Sequence, residues 1–251
     1  MRLASFDLGR KNFAVFVVDV SPHTLASVRS YKDCANAVGA DTETEIVHWE
    51  NSALPDLGGG ASIPQLVQCM SCHVRANWEL FGSVDCVVIE QQLLRNPAMK
   101  CAAHALQAIF AFHGKPVELL PAKSKFKAFP GAVKGNERSQ QLKRASVATA
   151  REWLVGYQGR TAAGPASEAL ARVVGGGGKL DDLCDAALQG LSALFLFRRH
   201  THVKAGGVQA GGGGEAAVVD MRPLGLHAPE GASSGVAQGA GDCDMDVVDM
   251  A

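Results

Sequence analysis

Four carboxylate residues stand where predicted strands end and where a late helix begins, and they are the side chains best suited to chemistry. Asp7 lies near the end of the first apolar run, and Glu90 directly follows another. Asp182 and Asp185 open the last predicted helix, where a spacing of three residues places them on one face. Carboxylates that come together in this way can hold cations or act as acids and bases.

Most of these residues also have a purely structural interpretation. Asp7 lies two residues before Gly9, and an aspartate close to a glycine is typical of a turn. Aspartates such as Asp181 and Asp182 are typical of the start of a helix. Asp185 fits that interpretation less well, because its neighbours in sequence are apolar. Glu90 fits it least, because a charge at the end of a buried strand is costly without partners. Their joint occurrence therefore favours a shared site.

A shared site of four carboxylates requires positive charge, because the groups would otherwise repel each other strongly. Neighbouring strands of an open sheet bring their ends to one crevice, and a helix can lay its first turn across it. Oxygen ligands favour Mg²⁺ or Mn²⁺. Two such ions about 4 Å apart can clamp the attacking and leaving oxygens of a phosphodiester. We expect metal ions, rather than buried cationic side chains, to balance the charge of the cluster.

The elements that must position these residues form an α/β layered domain. Hydrophobic periodicity and turn residues predict three strands, a helix, a strand, a helix, a strand and two helices, in that order. Their predicted ranges are 2–8, 13–20, 45–49, 63–80, 84–89, 97–113, 116–120, 137–154 and 180–199. A basic loop is expected at 123–136, and a glycine-rich linker at 175–178 precedes the last helix.

Three motifs on these elements occur in the order FDLGRKNFA, VVIEQQ and KLDDLCDAAL. Together they resemble the RNase H-like Holliday junction resolvases, of which the poxvirus-type and mitochondrial fungal branch is nearest and the bacterial RuvC nucleases are more distant. The resemblance extends over residues 1–200 and implies an RNase H-like mixed sheet flanked by helices. It also implies a metal-dependent endonuclease, a homodimer, that resolves four-way DNA junctions by paired phosphodiester hydrolysis.

The resemblance implies roles for single residues as well. The strand aspartate of the family falls on Asp7, its glutamate on Glu90, and its pair of helix aspartates on Asp182 and Asp185. These four would be catalytic and would hold two Mg²⁺ ions, for which Mn²⁺ can substitute. Asp181 is an extra acid whose role the resemblance leaves open.

The family also uses lysines near the cleaved phosphate, and this sequence offers two main candidates. Lys123 and Lys125 lie in the basic segment that follows the strand 116–120, and we expect one of them to be catalytic. The wider set expected to contact nucleic acid is Lys123, Lys125, Lys127, Lys143 and Arg144. A run of charges is often only a solvated face, so the sequence does not decide between these lysines.

Charge divides the chain into two parts. The formal net charge is −1, but residues 203–251 contain two basic and seven acidic residues, which leaves 22 basic and 18 acidic residues in 1–202. A cationic body is compatible with a polyanionic partner such as DNA. We expect residues 1–202 to form the resolvase domain and residues 203–251 to be a disordered acidic tail. Residues 21–44 are extra relative to the family pattern, like the tail.

The compartment is predicted only in broad terms. Seven scattered cysteines indicate free thiols in a reducing compartment. Charged residues interrupt the first apolar run, and no late apolar run approaches the ~20 residues of a membrane span, so we expect neither secretion nor a membrane. The expected location is an intracellular compartment that contains DNA, such as the nucleus, the mitochondrion or a viral factory.

Other functions stay open at the level of sequence. A nuclease of this fold could act on RNA–DNA hybrids or other branched DNA, and a non-catalytic relative could bind DNA without cutting it. The segment Asp7-Leu8-Gly9 also resembles the first phosphate motif of the sugar kinase and actin ATPase superfamily. That resemblance would also require a second DxG loop and a glycine-rich adenosine segment, and the glycines at 175–178 lead directly into an acidic helix that would repel nucleotide phosphates without metal. The GxxxxGK[ST] and GxGxxG nucleotide loops are absent from the sequence as well.

Two cysteine patterns suggest a different cofactor. The segment CMSCH at 69–73 matches the pattern of haem attachment, although it lies inside a predicted amphipathic helix. Cys69 and Cys72 could also combine with Cys101 and His104 as zinc ligands, but CxxC zinc sites usually lie on tight turns. Buried free thiols are the simpler interpretation.

Overall fold

A six-stranded mixed sheet with helices on both faces forms the body of the protein. The computed structural model describes residues 1–9, 12–53, 62–92, 96–132, 139–176 and 179–205. The strands are β1 (Arg2–Leu8), β2 (Asn12–Asp19), β3 (Glu45–Ala53), β4 (Cys86–Gln91), β5 (Val117–Pro121) and β6 (Arg160–Thr161). The helices are α1 (Pro22–Ser27), α2 (Tyr31–Ala40), α3 (Ile63–Ala76), α4 (Trp78–Gly82), α5 (Pro97–Phe112), α6 (Ser139–Val155), α7 (Pro165–Gly175) and α8 (Asp181–Ala205).

The order of the strands in the sheet is β5-β4-β1-β2-β3-β6. The first three strands form an antiparallel meander, whereas β4 is parallel to β1 and β5 is parallel to β4. The strands β1, β2 and β4 lie in the middle of the sheet and are buried on both faces, which explains their nearly continuous apolar sequences. The predicted fold class, an α/β mixed sheet flanked by helices, is confirmed.

The two faces of the sheet carry separate hydrophobic cores. On one face Leu3, Phe16 and Val88 pack with α8 and with residues of α2, α6 and α7; we call it the α8 face. On the other face Phe6 and Val87 pack with α3, α4 and α5. Because side chains alternate along a strand, residues that follow Leu3 and Val88 by an even number of positions also point towards the α8 face.

Helix α8 packs closely against the sheet at one point. Its contact point is Gly190, where a Cβ atom would lie 3.1 Å from both the Phe16 ring and the Cβ of Ser5. The neighbours would have to shift to admit even a methyl group there, so the glycine sets the separation between helix and sheet. This close approach brings the first turn of α8 down to the ends of β1 and β4.

Several elements differ from the sequence prediction. The predicted helix 63–80 ends at Asn77, whose side chain and backbone both donate to the carbonyl of His73, and α4 begins after it. Residues 21–44 contain α1 and α2, and α2 packs against α8. The stretch before the glycine-rich linker, for which no element was predicted, contains β6 and α7.

The end of the described chain is helical. Helix α8 extends to Ala205, a few residues beyond the point at which the tail was predicted to begin. Residues 206–251, the greater part of the predicted acidic tail, lie outside the described residues. The described helices include none with the length and apolar character needed to cross a bilayer.

Candidate metal centre

Two of the four predicted carboxylates lie side by side at the ends of the central strands. In the parallel pairing of β1 with β4, Ser5 is opposite Val88 and Phe6 is opposite Ile89. The next position in this register places Asp7 opposite Glu90. Both residues follow the alternation that points towards α8, so their side chains leave the sheet on the same face.

The first turns of α8 bring a third carboxylate to this pair. Single carboxylate oxygens of Asp7, Glu90 and Asp185 lie within 4.8 Å of one another. We call these three residues the acidic cluster. In the part of the chain that the structure describes, no other group of three His, Cys, Asp or Glu side chains comes close enough to share an ion.

The fourth predicted carboxylate lies one turn earlier on the same helix. Asp182 Oδ2 accepts a hydrogen bond from Asn12 Nδ2 at 2.8 Å and lies 2.7 Å from Lys179 Nζ. Asp182 shares a helix face with Asp185, but it does not belong to the group of three carboxylates whose oxygens lie within 4.8 Å of one another. Asp181 points elsewhere and forms an ion pair with Lys143 at 2.5 Å.

Hydrogen bonds to the sheet hold α8 in the position and orientation that bring Asp185 to Asp7 and Glu90. The indole of the buried Trp49 donates to the carbonyl of Leu183 at 3.0 Å. Further along the helix, Gln189 Nε2 donates to the carbonyl of Phe6 at 3.3 Å, one residue before Asp7. The helix is thus attached to β1 and β3 through polar contacts as well as through apolar packing.

A lysine lies inside the acidic cluster. Lys125 belongs to a 3₁₀ turn (Ala122–Phe126) that follows β5, and its side chain is only 9% exposed. Its Nζ lies 2.5 Å from Asp185 Oδ2 and 3.8 Å from Glu90 Oε2. The turn is held by Ser192 of α8, whose hydroxyl donates to the Lys125 carbonyl at 2.8 Å and accepts from the backbone N–H of Ala128 at 3.3 Å.

Burial is the main cause that raises the pKa of each carboxyl in the cluster. Burial, followed by the charges of Glu90 and Asp185, holds the pKa of Asp7 well above its usual range. Burial also raises the pKa of Glu90 and of Asp185, against the opposing effect of Lys125. Burial alone would lower the pKa of Lys125, but its pairing with Asp185 and Glu90 outweighs burial and raises it.

The prediction that no buried cationic side chain would balance the cluster is therefore wrong. Lys125 supplies one positive charge against three carboxylates, because the 3₁₀ turn directs it inwards over the end of β4. One lysine does not neutralise three acids. The remaining negative charge is what a divalent cation would complement.

The residues present fit a hard divalent cation. All three members of the cluster offer oxygen ligands, which Mg²⁺ and Mn²⁺ prefer. Asp185 Oδ1 is buried and accepts no hydrogen bond within the described ranges, although the Ser146 hydroxyl is near enough to the carboxyl to oppose the rise in its pKa. Such an atom is costly unless a further ligand satisfies it.

The other predicted basic residues lie outside the cluster. Lys123 is exposed on the same 3₁₀ turn as Lys125, and Lys127 Nζ lies 4.7 Å from the centre of the Tyr31 ring. Lys143 and Arg144 line an open groove of about 610 Å³ along α6, next to Asp181. Of the two lysines proposed as catalytic, the structure brings only Lys125 to the carboxylates.

The residues of the two cysteine patterns have ordinary surroundings. All six described cysteines are free, but the expectation that the thiols of these patterns are buried is wrong, because Cys69 is half-buried and Cys72 and Cys101 are exposed. The ring of His73 packs 4.9 Å from that of Phe13, centre to centre.

Sequence reasoning missed several residues that build the site, namely Asn12, Lys179, Gln189 and Ser192. For the last two a signal exists in the sequence. Gln189 and Ser192 interrupt the apolar run of α8 four and seven residues after Asp185, so all three lie on one helix face. For Asn12 the only signal is its place in the first motif.

Comparison with known proteins identifies the fold. No protein-family model and no curated protein matches the sequence. The yeast mitochondrial Holliday junction resolvase Ydc2 has a similar structure, with a TM-score of 0.55 and 15% identity over 81% of this chain and 83% of that chain.

Two further structures have lower scores. RuvC of Thermus thermophilus has a TM-score of 0.48 and 17% identity, covering 80% of this chain and 98% of that chain. The fowlpox virus resolvase, in complex with its substrate Holliday junction DNA, has a TM-score of 0.48 and 15% identity, covering 77% of this chain and 97% of that chain. The fold assignment rests on the yeast protein: the chain has the RNase H-like fold of that protein.

Proposed function

We propose that the protein is a metal-dependent, structure-specific DNA endonuclease that resolves four-way junctions by paired phosphodiester hydrolysis. One observation carries the proposal: three carboxylates and a buried lysine converge at the ends of the central strands. The yeast protein of the same fold is named a Holliday junction resolvase, and that activity is the one we extend to this chain.

Asp7, Glu90 and Asp185 would hold the cation, and Asp182 would serve as a fourth ligand from the adjacent helical turn. We propose Mg²⁺ as the cofactor, bound as two ions, with Mn²⁺ as a substitute. When bound, such ions activate a water molecule and stabilise the charge that develops on the phosphodiester. The protein contributes the arrangement of oxygen ligands.

Lys125 is the lysine that we propose as catalytic. Its ammonium lies within the cluster itself, so a phosphodiester held by a cation at these carboxylates would come within its reach. A fixed positive charge at that point stabilises the negative charge that develops as the phosphodiester is cut. Lys123, exposed on the same turn, is better suited to contact the DNA backbone.

A groove of the protein next to the cluster is suited to bind the DNA backbone. Lys143, Arg144, Arg151 and Lys179 line it together with Asp181, which gives an excess of positive charge. We propose that this groove and Lys127 bind phosphates without reading the base sequence.

A junction cut symmetrically on two strands needs two active sites related by a two-fold axis, which a homodimer provides. We therefore propose a homodimer as the active form. The proposed location is a compartment that contains DNA, whether nucleus, mitochondrion or viral factory.

The test compares four substrates of matched sequence in the presence of Mg²⁺: a four-way junction, duplex DNA, single-stranded DNA and an RNA–DNA hybrid. We expect preferential cutting of the junction, and loss of cutting in Asp185→Asn by several orders of magnitude. Binding of the junction in Ca²⁺ should persist in that variant. Asp181→Asn is the matched control, since Asp181 lies on the same helix but outside the cluster.

Other outcomes would overturn the proposal in defined ways. Preferential cutting of the hybrid would identify a ribonuclease. Release of phosphate from ATP without cleavage of DNA would identify an ATPase. Binding without cutting in Mg²⁺ and in Mn²⁺ would identify a non-catalytic DNA-binding protein.

A further inference from the structure

The side chain of Asn12 joins two elements that are far apart in the sequence. Asn12 is the first residue of β2, and it alternates with Ala14 and Phe16, which both belong to the core of the α8 face. Its Nδ2 donates to Asp182 Oδ2 at 2.8 Å, although 170 residues separate the two. The contact therefore ties the start of β2 to the first turn of α8.

The backbone of Asn12 is fixed as well. Its carbonyl accepts a hydrogen bond from the N–H of Gly9 at 2.8 Å, and a Cβ atom on Gly9 would lie 3.1 Å from that carbonyl oxygen. Gly9 is only two residues after Asp7. One residue thus connects the strand end that carries Asp7 with the carboxylate of Asp182.

The second partner of Asp182 differs from Asn12 in charge and exposure. Lys179 Nζ contacts the same Oδ2 atom at 2.7 Å, but the Lys179 side chain is 56% exposed. A lysine in water adds a screened positive charge and loses entropy when it is held in one place. An amide orients a carboxylate without neutralising it, so the carboxylate keeps its full charge for a cation.

We propose that Asn12 is a positioning residue, which orients Asp182 so that its carboxylate serves the same metal centre as Asp7, Glu90 and Asp185. The inference rests on the proposed function, because it takes Asp182 as a metal ligand. Partners that orient ligands in this way typically contribute about 10–100-fold to metal affinity.

The test measures Mn²⁺ binding to the full chain without DNA, by calorimetry and by the electron paramagnetic resonance signal of free Mn²⁺. The variants are Asn12→Ala and Asn12→Leu, the second of which keeps the size and branching of the side chain but has no donor. We expect both to weaken Mn²⁺ binding about 10–100-fold. Lys179→Met is the control, and we expect it to change the affinity less than either.

A double-mutant cycle separates positioning from general stability. In an Asp182→Asn background the Asn12 substitutions should cause no further loss of Mn²⁺ affinity, because the carboxylate that they orient is gone. Equal losses in the two backgrounds would overturn the inference. Unchanged Mn²⁺ affinity in the Asn12 variants would also overturn it. The inference would fail as well if both Asn12 variants melted at so much lower a temperature in EDTA that unfolding explained their whole loss of Mn²⁺ affinity.

The same preparations distinguish this inference from the proposed function. If the wild-type protein binds Mn²⁺ and shows the expected cycle but does not cut junctions, the proposed function fails and the role of Asn12 stands. If the wild-type protein cuts junctions while the Asn12 variants bind Mn²⁺ normally, only the role of Asn12 fails.

Discussion

Replacing Lys125 by methionine should remove the one positive charge that partly offsets the negative charge of the acidic cluster. The methionine keeps much of the apolar length of the side chain but removes the ammonium that lies 2.5 Å from Asp185 and 3.8 Å from Glu90. The three carboxylates would then face each other with no cation from this turn. The variant therefore measures what the buried lysine does for the protein without metal.

The size of the effect follows from the geometry. Two unit charges 4.8 Å apart repel by about 3.5 kcal/mol at an effective dielectric constant of about 20. Removing one partner of a buried ion pair typically costs about 3–5 kcal/mol. We expect the free energy of unfolding in EDTA at pH 8 to fall by about that amount, limited by protonation of one or more of the carboxyls.

The dependence on pH has a defined sign. The pKa values of Asp7, Glu90 and Asp185 are raised in the folded protein, chiefly by burial, so the folded state binds more protons than the unfolded state. The free energy of unfolding therefore falls as the pH rises from the unfolded pKa values through the folded ones. In Lys125→Met this fall should be steeper, and the variant should approach the wild-type stability as the pH decreases towards 4.

The assay is urea unfolding between pH 4 and pH 8.5, in EDTA and in Mn²⁺. A divalent cation should restore most of the lost stability, and the variant should bind Mn²⁺ more tightly than the wild-type protein, since no lysine opposes it. Lys123→Met is the control, because Lys123 is exposed on the same turn. Wild-type stability of Lys125→Met at pH 8 in EDTA, or an unchanged pH slope, would refute the electrostatic reasoning.

Three further predictions concern the surroundings of the cluster. Ser192→Ala should cost about 1–3 kcal/mol, because the buried N–H of Ala128 loses its acceptor, and it should slow single-turnover cleavage by loosening the turn of Lys125. Gly190→Ala should destabilise the protein by about 1–3 kcal/mol in thermal unfolding, because its methyl group would lie 3.1 Å from the Phe16 ring. Arg144→Ala should reduce the slope of log affinity against log salt for junction binding in Ca²⁺ by about 1, and an unchanged slope would remove Arg144 from the interface.

The carboxylates of the cluster could be predicted because their positions follow from simple rules. Asp7 and Glu90 end apolar runs long enough to be central strands, and parallel neighbours bring such ends together. Asp185 lies in the first turns of a strongly apolar helix, which has to pack on the sheet. These inferences need only periodicity and topology, so the structure reproduces them.

The choice between Lys123 and Lys125 could not be made in the same way. A 3₁₀ turn has three residues per turn, so residues two apart point in different directions, and only Lys125 is directed inwards. The turn is set by Ser192, which is 67 residues away from Lys125. The sequence around the lysines carries no information about that contact.

Helices α2 and α7, which the hydrophobic periodicity did not predict, are marked in the sequence by their capping residues. Helix α2 begins with a capping box formed by Ser30 and Asp33, and α7 begins at Pro165 and ends before Gly176 in the left-handed conformation. Both helices are short, so each offers few turns over which a hydrophobic period could be recognised. Capping residues would have been the better guide here.

A single stripe along α8 explains how the site is assembled. Asp182, Asp185, Gln189 and Ser192 are spaced by three, four and three residues, which keeps them on one face of the helix. They contact, in that order, the side chain of Asn12, the ammonium of Lys125, the carbonyl of Phe6 and the carbonyl of Lys125.

These four contacts join α8 to three other parts of the chain, namely β1, β2 and the lysine turn, so the helix determines the distances between them. Rotation of α8 would disturb all four contacts together. Substitutions along the stripe should therefore be non-additive, whereas we expect substitutions of the basic residues that α6 contributes to the groove, such as Arg144, to be additive.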